Sequence, residues 1–325
     1  MNISRRTMLA STVATVGTLL WRPSRLINAG LLSSLYGKVG KKTSPLTPND
    51  DFYITSIDVS PTLDASEWTL SIEGLVERPF TLTYDDLLKR PHTSMIATLE
   101  CIGNPLGGEQ ISTAKWSGVA IHQLLHEAGV GKNAVDLVLH GADGYSDSFP
   151  LSRAQREEVL LALTMNGVPL PADHGFPARV IVPGLYGVKN VKWLTKLEVV
   201  DYDYRGYWQQ DGWPEVANIK PQSRIDLPGD RETVTTSTYT IHGMAFGGEF
   251  GIEKVEISTD LGMTWQSTAL ATPLSPYAWR LWSYEWQIPK PGEHTILVRA
   301  TNGQGVTQGK RLGDWHAVSI EATFS

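Results

Sequence analysis

The sequence predicts an α+β chain, a mixed domain followed by an all-β sandwich. From Asp51 to about Val200, short period-two stretches alternate with helical ones, without the regular alternation of a doubly wound sheet. Beyond Pro228 no helical period returns, and short strand-like runs separated by turns such as Asp260-Leu261-Gly262 continue to Ser325. About 100 residues of that rhythm is the size of an immunoglobulin-like sandwich.

Taken in order, the elements begin with Ser4-Arg5-Arg6-Thr7-Met8-Leu9, paired arginines ahead of a weakly apolar run ending at Trp21. Segment 1–29 reads as a twin-arginine export signal, a route for folded and typically cofactor-loaded chains, so the expected location is periplasmic or otherwise extracytoplasmic. Its apolar run is shorter than the roughly 20 residues a bilayer-spanning helix needs. Ile27-Asn28-Ala29 matches a small-x-small cleavage site poorly, which leaves cleavage open. Residues 30–50, rich in Gly, Lys, Ser and Pro, read as an exposed lead-in. Within the mixed domain, 51–213, residues 68–73 and 135–140 alternate as strands do, and 178–182 is a buried-strand run ahead of Pro183-Gly184. Thr83-Tyr84-Asp85-Asp86 before Leu87 and Leu88 is a capping-box-like helix start. Ile121, Leu124, Leu125 and Ala128 make one helix face that Gly129 ends. Residues 214–228 read as a linker, and 229–325 as the sandwich.

The 325 residues carry 28 Lys and Arg against 34 Asp and Glu, a net charge of −6, so no global basic field exists to hold a nucleic acid. The single cysteine, Cys101, excludes an internal disulfide and a metal site built from cysteine pairs. Three readings of it stay open on residues alone: a buried inert thiol, a nucleophile, or a soft metal ligand. His122 and His126 have the i, i+4 spacing of a helical zinc site, but Gln123 stands where that motif needs glutamate. No serine-hydrolase elbow and no phosphate-binding P-loop is present. His174, Arg179, Lys189 and Lys192 fall within 19 positions in Gly- and Pro-rich sequence, which suggests either an anion site or a solvated basic loop.

Four groups of motifs, in order over both domains, carry a resemblance. They are Thr98-Leu99-Glu100-Cys101-Ile102-Gly103-Asn104, then Trp116-Ser117-Gly118-Val119, then the stretch 165–193 around Asp173-His174-Gly175-Phe176-Pro177, and finally 255–265 with Ala278-Trp279-Arg280-Leu281-Trp282. From about Pro48 to the C-terminus the chain resembles the sulfite oxidase family of molybdopterin-dependent oxidoreductases. The resemblance implies that Cys101 is the thiolate ligand to molybdenum and that the pterin's dithiolene sulfurs and oxo-type oxygens complete the set. A soft anionic sulfur suits a metal cycling by two electrons. It also implies that His174, Arg179, Lys192 and, in the cysteine turn, Asn104 bind the pterin or its phosphate, and that the sandwich makes a homodimer.

The departures bear on the substrate. Where the family carries an arginine after its paired aromatics, Phe52-Tyr53-Ile54 is followed by Thr55 and Ser56; the arginines after the cysteine turn are replaced by Pro105 and Leu106. The family's active-site tyrosine aligns with Trp213, and Arg311 is a candidate cation from the last domain. A desolvated dianion needs strong paired cations, so a less charged or bulkier substrate than sulfite is expected. No haem-attachment motif occurs, and one cysteine cannot hold an iron–sulfur cluster, so a cytochrome or the quinone pool is the expected electron partner. The expected function is an exported molybdenum-cofactor-dependent oxidoreductase that transfers an oxygen atom on a small molecule. The alternatives are a sulfite dehydrogenase with a different cation set and a non-catalytic binding module that retains the fold.

Overall fold

A computed structural model describes residues 40–325; the expected export segment lies outside the described residues. In the first domain the strands run as β1 (Thr69–Gly74), β2 (Phe80–Thr83), β3 (Thr93–Glu100), β4 (Ile111–Ala120), β5 (Asp136–Gly141), β6 (Ser146–Pro150), β7 (Leu160–Met165), β8 (Val168–Pro169), β9 (Arg179–Ile181) and β10 (Leu194–Val200). They form two sheets, one ordered β2-β1-β10-β5-β6 and one ordered β3-β4-β7-β8 with β9 paired to β7. α-Helix is confined, among the described residues, to the short segments Tyr84–Leu88, Ile121–Ala128, Leu151–Ala154 and Tyr207–Gln210. The first closes quickly for a local reason. Thr83 and Asp86 form a reciprocal capping box, and Pro91 two residues past the Lys89 C-cap opposes further helix. In Ile121–Ala128 the expected apolar face is the buried one, and Gly129 caps it at φ 71.

Strand β7 explains why its sequence is apolar without alternation. Leu161 and Leu163 enter the main core with Leu124, Leu139 and Val180, whereas Leu160, Ala162 and Met165 face a second core with Phe52, Leu99, Trp116 and Ile181. The sheet β3-β4-β7 is therefore covered on both faces, and burial of both faces favours a continuous apolar run. Period two then puts Arg179 on the same side of β9 as Ile181, the second-core side.

The second domain holds β11 (Gln222–Leu227), β12 (Glu232–Val234), β13 (Thr238–Phe246), β14 (Ile252–Ser258), β15 (Gln266–Ser267), β16 (Ala269–Leu270), β17 (Arg280–Gln287), β18 (Gly292–Asn302) and β19 (His316–Ala322). Sheets β11-β13-β17-β16 and β12-β19-β18-β14-β15 pack over a core that includes Ile241, Trp282, Trp286 and Val298. The expected linker 214–228 is thus too long: β11 lies inside it, paired antiparallel to β13 with a register shift between Ile225 and Leu227. That irregularity breaks the period-two pattern from which a strand is read. The described part of the lead-in is also tied down, with Thr47 N–H donating to Thr113 O (2.8 Å) and Thr43 N–H to Asp226 Oδ2 (3.2 Å). Between the domains Ile111, Ile219, Met244, Phe246 and Trp279 form an apolar seam, and Arg153 and Arg156 both bind Glu249 (3.0 and 2.8 Å).

Candidate active site

Strand β3 ends at Glu100 and delivers Cys101 into a turn closed by backbone bonds. The Cys101 N–H donates to Gln110 O, and the Asn104 N–H donates to Cys101 O, both at 2.9 Å. Cys101 is partly exposed and lines a pocket open to solvent. His174, Arg179 and Lys192 line the same pocket, so four of the five residues expected at the cofactor come together. An inert core thiol is not what the structure gives.

Arg179 is buried at 6% exposure, yet its guanidinium donates only to carbonyls, His174 O and Asn190 O, each at 3.1 Å. It lies 5.2 Å over the Trp116 ring, and its buried Nε has no partner. Burial pulls it down to about 10, which still leaves it charged at neutral pH. Lys192 donates to Asp173 O (2.9 Å) and sits 4.1 Å from the Trp193 ring centre. Burial, with Arg179 close by, pulls its ammonium down to about 7. Among the described residues neither cation has a carboxylate within ion-pair distance, although Asp143 and Asp173 edge the pocket. A buried cation without a counter-ion costs several kcal/mol, and this applies to Arg179; Lys192 beside it is only partly buried, and together they leave room for an anionic ligand. Gly175 allows the approach: it adopts φ +106, and a Cβ there would stand 3.0 Å from the Cβ atoms of both Arg179 and Lys192. His174 Nε2 donates to Asn49 O (3.0 Å), and burial lowers its pKa, so the ring is neutral with Nδ1 as its remaining acceptor. Tyr53, beside Cys101, has its phenol held well above the usual range, chiefly by burial.

Other expectations are corrected. Lys189, read as part of the cationic cluster, is buried in an ion pair with Asp147 (2.6 Å). Asn104 does not line the pocket; its side chain accepts from Gln110 N–H (3.0 Å) and donates to Glu100 Oε1 (3.3 Å), bracing the turn. Trp213 stacks on Trp208 with centroids 5.0 Å apart, and it is Trp208 that faces the pocket. Arg311 is exposed, 3.8 Å from Asp314, and is not a pocket residue. Thr55 and Ser56 do line it. His122 and His126 hold no metal-like cluster, since no group of three His, Cys, Asp or Glu side chains gathers among the described residues. Sequence reasoning missed Tyr145 and Trp208, whose aromatic character alone carried no sign that folding brings them to the pocket.

A thiol, an unpaired lysine and an orphaned guanidinium nitrogen around one pocket fit an anionic group that carries a soft-ligand metal. Comparison with known proteins decides which. Residues 57–208 match the oxidoreductase molybdopterin binding domain and residues 214–321 the Mo-co oxidoreductase dimerisation domain. The chain belongs to the sulfite oxidase family. This family member is 33% identical over 300 residues to mitochondrial sulfite oxidase of Homo sapiens, covering 78% of this chain and 55% of that one. It is 29% identical over 331 residues to a nitrate reductase [NADH] of Phaseolus vulgaris, covering 82% and 37%. The sulfane dehydrogenase SoxCD of Paracoccus pantotrophus superposes with a TM-score of 0.74 at 25% identity, covering 93% of this chain and 88% of that one. The chain spans little more than half the length of the mitochondrial sulfite oxidases it matches. Molybdenum and molybdopterin are the cofactors that membership implies, and the pocket residues fit them.

Proposed function

We propose that this protein is an exported molybdenum-cofactor-dependent oxidoreductase that moves an oxygen atom to or from a small, weakly charged substrate. Electrons pass to or from a separate cytochrome or the quinone pool. The observation that carries the proposal is the meeting of Cys101 with Arg179 and Lys192 in one pocket, the cations lacking carboxylate partners. In this assignment Cys101 supplies a thiolate to molybdenum, and Arg179 and Lys192 neutralise the pterin's anionic part. When bound, the cofactor supplies two-electron redox chemistry coupled to oxygen-atom transfer. Lys192 regains its proton at neutral pH once an anion sits beside it, because an opposite charge favours the charged form. His174 presents an acceptor nitrogen, since Asn49 O fixes its N–H on the far side. Tyr145 holds its proton at Oη, between Val188 O (2.9 Å) and Asp147 Oδ2 (3.1 Å), and serves as a wall rather than an acid.

The likeness to sulfite oxidases favours a second reading, a sulfite dehydrogenase. Against it stand Thr55 and Ser56, neutral lining residues at the position where the resemblance expects an arginine. Retention of Cys101 with both cations also disfavours a non-catalytic module. The export proposal rests on Ser4-Arg5-Arg6, and the homodimer proposal on the match at 214–321 to a dimerisation domain. We assign 51–213 to the cofactor domain and the rest, from Gln222 onward, to the immunoglobulin-like sandwich. A substrate screen on molybdenum-loaded protein tests the function. Saturable turnover of a neutral S-oxide or N-oxide is the expected result, and saturable oxidation of sulfite in preference to these would overturn the weakly charged assignment.

A further inference from the structure

The loop between Cys101 and Ile111 contains Gly103, Pro105, Gly107 and Gly108 and exposes Leu106, the composition of a segment that opens easily by itself. It is gripped from the other domain, by alternate residues of one strand. Arg224 of β11 donates from Nη1 to Gly108 O (2.7 Å). The guanidinium is itself fixed by Asp226 Oδ1 (2.8 Å) and by Thr43 Oγ1 (2.8 Å). Gln222, two residues earlier on β11, donates to Oε1 of Glu100, the residue before the cysteine. Next to Arg224 the Ile225 N–H donates to Nδ1 of His316 (3.0 Å), whose ring lies against Gly107. A Cβ on Gly107 would stand 2.2 Å from His316 Nε2, and that glycine has φ +72. None of Gln222, Arg224 and His316 lines the Cys101 pocket.

We infer that β11 of the second domain is the positioning element for the Cys101 thiolate, with Arg224 its main grip on the loop. The inference rests on the cofactor assignment for its consequence but not for its geometry. A metal ligand must be held to a fraction of an ångström by its supporting shell. Here that shell comes from a different domain, so docking of the two domains and the position of the sulfur are one event. Arg224 acts through the loop and is a positioning residue.

The test compares Arg224→Gln with Arg153→Gln in the full cofactor-loaded chain. Arg153 also ties the domains together, through Glu249 (3.0 Å), but is far from the loop in the hydrogen-bond pattern. Both variants should melt at lower temperature. Only Arg224→Gln should speed amide hydrogen exchange over 102–110, by about ten-fold for loss of one charged hydrogen bond, and shift the Mo(V) resonance. Arg224→Lys, which keeps a single donor, should fall between wild type and Arg224→Gln and stands in if the latter does not fold. Equal exchange over 102–110 and equal spectra in the Arg224 and Arg153 variants would overturn the inference. Faster loop exchange in Arg224→Gln from a chain that holds no molybdenum would support the grip while rejecting the cofactor assignment.

Discussion

Arg179 and Lys189 come from one basic stretch of sequence and end in opposite states. Arg179 keeps a charge with only carbonyls around it, whereas Lys189 is paired with Asp147, and both partners are almost wholly buried. Asp147 also accepts from Ser148 N–H (2.8 Å) and lies within reach of Tyr145 Oη, so the pair has the extra hydrogen bonds that buried ions require. Removing one partner leaves the other charge uncompensated. Asp147→Asn should therefore cost on the order of 3–5 kcal/mol in urea unfolding, with the Asp147→Asn/Lys189→Met double variant recovering much of it. A loss below about 1 kcal/mol would show that the pair does not matter. The sequence made the basic cluster legible but not its division, because Asp147 lies 42 positions from Lys189 and nothing local marks it as the partner. That Cys101, His174, Arg179 and Lys192 line one pocket agrees with the grouping their motifs suggest. Asn104 braces the cysteine turn, a role that its place in the motif does not distinguish from facing the pocket.

At the scale of elements, the cysteine loop and β11 depend on a neutral histidine. His316 accepts the Ile225 N–H at Nδ1, and burial, with Arg224 nearby, pulls its pKa from 6.5 to about 4. Asp226 and Asp230 act in the opposite direction without reversing the shift. The unfolded chain takes up this proton near pH 6.5, and the folded chain refuses it until about pH 4. This residue's contribution to folding stability therefore falls as pH is lowered from about 6.5 to about 4 and is constant above that window. Denaturant midpoints measured across that range should decline in the wild type and decline less in His316→Asn, which keeps an acceptor but cannot titrate. Identical slopes would rule the histidine out as the cause. The strand it serves was hidden in sequence, since its register shift spoils the alternation and its Pro- and Asp-containing flanks look like a connector. By contrast, the helix Ile121–Ala128 was legible to its last residue, because its apolar face and its glycine stop are both local signals.

For the whole molecule, the apolar seam around Phe246 and Trp279 and the Arg153–Glu249–Arg156 ties make the domain junction a built interface rather than a loose tether. The match to a dimerisation domain over 214–321 predicts a homodimer, so light scattering at micromolar concentration should give twice the chain mass of 35.8 kDa. A single-chain mass throughout that range would contradict it. The two-domain plan was visible in sequence as a loss of helical period past Pro228, while the contacts that join the domains, being between distant segments, were not. The central claim is that Cys101 ligates molybdenum, and metal analysis combined with Mo K-edge absorption on wild type and Cys101→Ser tests it most directly. Wild type should hold about one molybdenum per chain, and the variant should show one sulfur neighbour fewer. Less than about a tenth of an equivalent of molybdenum in wild type made in a cofactor-competent host, or an unchanged sulfur shell in Cys101→Ser, would contradict it.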